Sequence, residues 1–331
     1  MKIEKSANRI EYIDCFRACG IVFMIMGHIG FGYIFDKFIH AFHMPMFFFI
    51  SGFFIKGFNN SSVKRYVVKK AKSLLLPYIF WGCMQYVIWM IVHYPKFDIT
   101  PLINLFFVNS DGLAIAGALW FLTAMFFADI IYFVIRKFVI NKNIYNLVII
   151  IIALLGNIEN IVFRYKFPFS LGAGFVGVGL IHLGWEYKQL MEKVKINYKR
   201  CYLIMPILIM LMVGGVFING SVNMRIGEYS FIPLFWVNAV LATIIGMNLC
   251  KLLEKKVPQS LVNKLAYIGN NSIVYLCLNQ LVIICIKRII NNINCSILIS
   301  KILILIITLI FLKVISLICM NTKLKVLFGK S

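Results

Sequence analysis

Acidic residues are scarce in this chain. Only 12 of its 331 residues are Asp or Glu, against 34 Lys and Arg, and there are five histidines. Charged residues make up 14% of the sequence, where a soluble domain carries about a quarter. Long polar stretches are missing, so no water-soluble domain is expected beside the apolar segments. No loop is long enough to build the basic face that nucleic-acid binding requires, and nucleic acid is not an expected partner. The nine cysteines contain no Cys-x-x-Cys pair. They read as reduced, small apolar residues, with Cys295 alone expected in an external loop, and no metal site is expected. The strict alternation of a membrane β-barrel is absent too.

What remains is apolar. Hydrophobic residues reach 61% and the mean hydropathy is +0.89. Long continuous apolar segments predict an all-α, polytopic membrane bundle forming one domain over 1–331. Ten spans are expected, at about 13–35, 41–57, 74–93, 116–135, 144–163, 169–186, 201–218, 231–250, 267–286 and 297–319. The second is short and aromatic. The basic first ten residues do not precede a cleavable signal, because no small-residue cleavage site follows. Lys and Arg then orient the spans. Alternate connecting segments hold 24 basic residues on one side and eight on the other, with Arg17 and Lys313 inside spans. Both termini are therefore expected in the cytoplasm of a bacterial cell, with basic residues also meeting anionic lipid at the inner leaflet.

One stretch departs from this apolar background. Residues 14–54 begin Asp-Cys-Phe-Arg-Ala-Cys-Gly, run to Gly27-His28, and resume as His-Ala-Phe-His-Met-Pro-Met-Phe-Phe-Phe-Ile-Ser-Gly-Phe-Phe. Arg17 and His28 are eleven residues apart. On a helix that spacing returns to the same face about 16 Å further along. Ionisable groups on one stripe of a membrane-length helix point to function, because burying them there is costly. Asp14 lies a turn before Arg17, where it can orient the guanidinium.

The Arg-(ten residues)-His spacing and the His-Met-Pro-Met-Phe-Phe-Phe-Ile-Ser-Gly-Phe run together resemble the acyltransferase family 3 membrane proteins. The resemblance implies an O-acyltransferase that moves acyl groups, usually acetyl from acetyl-CoA, onto cell-surface glycans or their lipid-linked precursors. It extends to three further stretches. The basic run before Leu-Leu-Pro-Tyr contains Lys69, Lys70 and Lys72. In the family this region lies beside the donor site, often with two arginines three apart; here Ser73 stands where an arginine is common. Leu-Trp-Phe-Leu at 119–122 matches a second motif and makes Trp120 a candidate on the acceptor side. Gly269, Ser272 and Tyr275 match a third, with Asn279 at a position where the family often has His. An amide there can position a partner but cannot take up a proton at neutral pH.

Acyl transfer from a thioester to a hydroxyl needs a base, donors for the oxyanion and positive charge for coenzyme A. Histidine suits the base role near neutrality. His28 is the expected base, with Asp14 and Ser51 as further catalytic candidates. Arg17, Lys69, Lys70 and Lys72 are the expected coenzyme A ligands. His43, Trp120, Tyr275 and Asn279 are the candidates for contacting the acceptor. Three other features read as structural. Asp129 needs a partner or a wet cavity, Glu159 is expected to snorkel to water, and the glycines of the sixth span are expected to let helices pack closely. A transporter or flippase for a glycan precursor is the competing class. It would need charge spread over many spans and broken helices in matching places of two halves. A non-catalytic assembly factor is a third.

Overall fold

Continuous apolar runs leave the backbone to satisfy its own hydrogen bonds, which only helices do within one segment. The computed structural model describes residues 10–55, 62–107, 117–163, 166–194, 198–290 and 296–330. The chain folds into α1 (Glu11–Ile29), α2 (Tyr33–His40), α3 (Pro45–Phe54), α4 (Val63–Lys70), α5 (Leu76–His93), α6 (Thr100–Phe107) and α7 (Trp120–Phe138). There follow α8 (Lys142–Val162), α9 (Leu171–Lys193), α10 (Tyr198–Asn219), a hairpin of β1 (Val222–Asn223) and β2 (Glu228–Tyr229), α11 (Ile232–Glu254), α12 (Gln259–Asn270), α13 (Ser272–Ile290) and α14 (Ile297–Met320). Nine helices among the described residues are long and apolar enough to cross a membrane. This is a polytopic helical membrane protein.

The second expected span takes a different form. Residues 41–57 do not make a membrane-length helix; α3 has ten residues, started by Pro45 in the first turn. It nevertheless joins the two ends of the bundle. Met44, just before it, lines a cavity with His28, and the ring of Phe54, its last residue, lies 4.8 Å from the Arg17 guanidinium. Gly52 and Gly184 allow this short helix to touch α9 backbone to backbone: a methyl at either would collide with a main-chain carbonyl, of Ile181 or Phe49.

Two other boundaries move. The basic run before the third span is itself helical: the Ser62 hydroxyl accepts from Arg65 N–H at 3.2 Å and caps α4. A π-helical turn at Ala71–Leu75 then joins α4 to α5 and changes the face that each presents. The ninth span starts at Ser272, not at 267, because Asn271 breaks the chain between α12 and α13. Glu159 does not snorkel; it is buried and accepts from the backbone N–H of Phe167. The sixth-span glycines do face neighbours, Gly177 against Phe48 and Gly179 against Trp236 and Ala153. Cys295, expected in an external loop, lies outside the described residues.

Candidate active site: two cavities along α1

The helix α1 carries Arg17 in one cavity and His28 in another. The first has a volume of about 690 Å³. Among the described residues, Arg17, Arg65, Lys69 and Lys70 give it four cations, and Asp129 is its single acid. Asp14 sits 3.3 Å from the Arg17 guanidinium and orients it. Lys70 Nζ meets Asp129 Oδ2 at 2.6 Å, and the Ser51 hydroxyl donates to Asp129 Oδ1 at 3.0 Å. Asp129, 1% exposed, is thus held from both sides, as a carboxylate at membrane depth must be. Gly269, Asn270 and Ser272 bring the start of α13 to the same cavity, where the positive end of the helix dipole favours an anion. Gly269 lies against the Asp14 backbone, which ties this junction to α1. The C-terminal tail closes over it: Lys330 donates to the Asn270 carbonyl at 2.6 Å and to Asn271 Oδ1 at 2.8 Å.

The second cavity is smaller, about 160 Å³. His28, His40, His43, Trp120 and Arg225 line it, and no carboxylate among the described residues does. Gln280, reaching in from α13, lies 3.3 Å from His28 Nδ1 through its Nε2. Its Oε1 accepts from Ala118 N–H at 3.4 Å, which sets the amide's orientation. Nδ1 of neutral His28 is then an acceptor and Nε2 carries the proton. The opposite holds for its neighbours. His43 Nδ1 meets the Ile39 carbonyl at 2.8 Å and His40 Nδ1 meets the Asp36 carbonyl at 2.6 Å. Carbonyls only accept, so both rings keep an Nε2 lone pair. Arg225 comes from the turn of the β1–β2 hairpin. A methyl on Gly117 would fall 2.8 Å from its Nη1 and 3.1 Å from Gln280 Nε2, so both groups press on that glycine. Lys287 Nζ donates to the Ile29 carbonyl at 3.2 Å and caps the C-terminal end of α1.

A thin aromatic partition separates the cavities. On α7, Trp120 faces one and Phe121 the other; near the start of α3, Met44 faces one and Phe47 the other. The rings of Phe47 and Phe121 pack edge to face at 5.7 Å.

The expected site residues therefore divide. Arg17, Asp14, Ser51, Lys69 and Lys70 gather at the first cavity, His28, His43 and Trp120 at the second. Ser51 and Asp14, expected to share the chemistry with His28, sit at the opposite end of α1 from it. Lys72 is exposed and does not line the cavity. Tyr275 and Asn279 line neither cavity; both are 0% exposed, and Asn279 Nδ2 turns back to the carbonyls of Tyr275 and Leu276. Their helix presents the next residue, Gln280, to His28 instead. Gln280, Arg225, His40, Arg65 and Lys287 were not singled out from the sequence. Of these, Arg65 adjoined the basic run, and Gln280 adjoined the third motif one residue past Asn279.

Residues 10–320 match the family of acyltransferase domains known as acyltransferase family 3. The match covers nearly the whole chain, and the chain belongs to that family. No curated protein and no solved structure matches it.

Proposed function

We propose that this membrane acyltransferase takes acetyl from cytoplasmic acetyl-CoA and places it on a hydroxyl of a cell-surface glycan or its lipid-linked precursor. The observation that carries the reading is the pair of cavities on α1, one cationic and one lined by imidazole, meeting at an aromatic partition. Both termini are cytoplasmic in this reading, in keeping with the 24-to-8 division of basic residues. The Arg17 cavity then opens to the donor side and the His28 cavity to the acceptor side.

In the donor cavity, Arg17 and Arg65 grip phosphate through bidentate forks, and Lys69 adds a point charge. Lys70 is committed to Asp129 and supports the wall. Ser51 and Asp14 are positioning residues. The pantetheine arm of acetyl-CoA passes between Phe47 and Phe121 and carries its thioester to the second cavity. There His43 Nε2 accepts from a neighbouring hydroxyl of the acceptor sugar. His28 removes the proton of the reacting hydroxyl at Nε2 once the Gln280 amide has turned over, so that Oε1 accepts from Nδ1–H. The hydroxyl oxygen bonds to the acyl carbon, and Arg225 faces the oxyanion that forms. The carbon–sulfur bond then breaks, and the proton on His28 passes to the departing thiolate.

The test is transfer of label from acetyl-CoA to base-deacylated surface glycan by the purified protein in detergent. The transporter reading predicts no transfer. Label transferred by wild type supports the enzyme; none, with intact coenzyme A binding, overturns it. Orientation has its own check. A reporter cysteine at position 325 should label only in broken cells, and one at position 98 in intact cells; labelling at 325 in intact cells would reverse the two sides.

A further inference from the structure

The hairpin that carries Arg225 has a second side. Asn223 to Arg225 line the His28 cavity, whereas Ile226 to Tyr229 line a separate cavity of about 450 Å³. That volume lies within the range of ligand pockets. Its other wall is the end of α8. Asn160 Nδ2 donates to the carbonyls of Ile226 and Gly227, the latter at 2.9 Å, and fastens the hairpin tip to that helix. Only the thickness of one turn separates this cavity from the imidazole site.

Two residues lining it each carry a buried polar atom without a partner among the described residues: Asn157 Nδ2 and the Tyr229 hydroxyl. Asn157 is 2% exposed, and its Oδ1 accepts from Trp236 Nε1 at 2.9 Å. The amide's orientation is therefore set, and Nδ2 is the donor left over. Leaving such groups unpaired is costly, and a ligand that pairs them recovers the loss. Lys166 and Glu228 add one charge of each sign. A phosphate headgroup would meet the Glu228 carboxylate. A neutral sugar finds donors, an acceptor and the Tyr229 ring in one place.

We propose that this cavity is a second saccharide subsite. It holds the sugar unit beside the one that receives the acyl group, so the acceptor is an oligomeric glycan lying across the hairpin. The proposal rests on the acyltransferase reading above.

The test uses the host's own surface glycan, base-deacylated and size-fractionated from one sugar unit to eight. Binding to the full-length protein in detergent is followed by tryptophan fluorescence, with Trp236 as the reporter at the site and Trp236→Phe as the control. Tyr229→Phe removes one unpartnered hydroxyl and leaves the fold intact. Asn157→Asp keeps the acceptor for Trp236 and removes the donor. In wild type, longer oligomers should bind more tightly than the single sugar. In each variant that gap should shrink by about 3- to 10-fold, the weight of one hydrogen bond. Wild-type affinity that ignores length, or variants that keep the full gap, would overturn the subsite. The two readings fail separately. Length-dependent binding that the variants reduce, without acyl transfer, keeps the subsite and overturns the enzyme. Transfer with unchanged variants keeps the enzyme and overturns the subsite.

Discussion

The two cavities on α1 treat charge in opposite ways. At the Arg17 end, cations are numerous and two carboxylates neutralise part of them: Asp14 holds Arg17, and Asp129 holds Lys70. At the His28 end, three imidazoles and one guanidinium line a quarter of the volume, with no carboxylate among the described residues there. The first arrangement suits holding a large polyanion. Fixed, paired cations cost little to reorganise and bind by charge. The second suits moving a proton, because imidazole changes charge near neutrality and its neighbours leave lone pairs free. A single helix joins the two ends and keeps them about 16 Å apart on its axis.

The sharpest way to break this comparison is to remove the imidazole. His28→Ala should lower turnover by about 10²–10⁴-fold, the usual contribution of a positioned base, while acetyl-CoA still binds. His28→Gln should be nearly as poor, since an amide accepts no proton. Transfer assays paired with coenzyme A binding check this; full turnover in the alanine variant ends the mechanism.

The reverse experiment acts on the other end. Arg17→Ala should weaken acetyl-CoA binding by about 10- to 100-fold, the weight of a charge-assisted hydrogen bond. Arg17→Lys should recover part of it, because the charge returns without the fork. Unchanged affinity measured by calorimetry would remove Arg17 from the donor site.

Gln280 sharpens the acceptor end. Gln280→Leu leaves the His28 ring without an orienting partner and should cut turnover about tenfold, on the scale of lost outer-shell partners. Gln280→Glu can only accept from Nδ1–H and so holds the base-competent tautomer. It should keep turnover at or above wild type. A merely structural amide would make the glutamate variant as poor as leucine, and the pH–rate profile would not move between them.

The smallest effect belongs to Ser51. Ser51→Ala removes one hydrogen bond to Asp129 and should cost about 1 kcal/mol of stability, read as a slightly lower unfolding midpoint in detergent. Turnover should stay within a few-fold. A loss as deep as that of His28→Ala would return Ser51 to the chemistry and erase the division between the ends.

Local patterns were enough for much of this protein. Apolar run length marked all nine long helices, because crossing a bilayer sets a length that each segment must meet alone. Helical periodicity placed Arg17 and His28 on one stripe, because that relation stays within one element. Motif likeness picked out Arg17, Lys69, Lys70, His43 and Trp120, which line the two cavities, along with Lys72, which does not, and it led to the right family. Composition alone could not have divided them between two cavities. Those divisions come from helices distant in sequence. Gln280 meets His28 across 252 positions, and Ser51 meets Asp129 across 78. Asn279 looked like the positioning amide, yet helices turn about 100° per residue, so its neighbour faces the site and Asn279 faces its own backbone. Arg225 sits in the turn of a four-residue ladder too short to leave a strand signal. Which residues of two packed helices touch depends on crossing geometry and on the small residues that permit close approach. That information is spread over both partners, and only the assembled bundle brings it together.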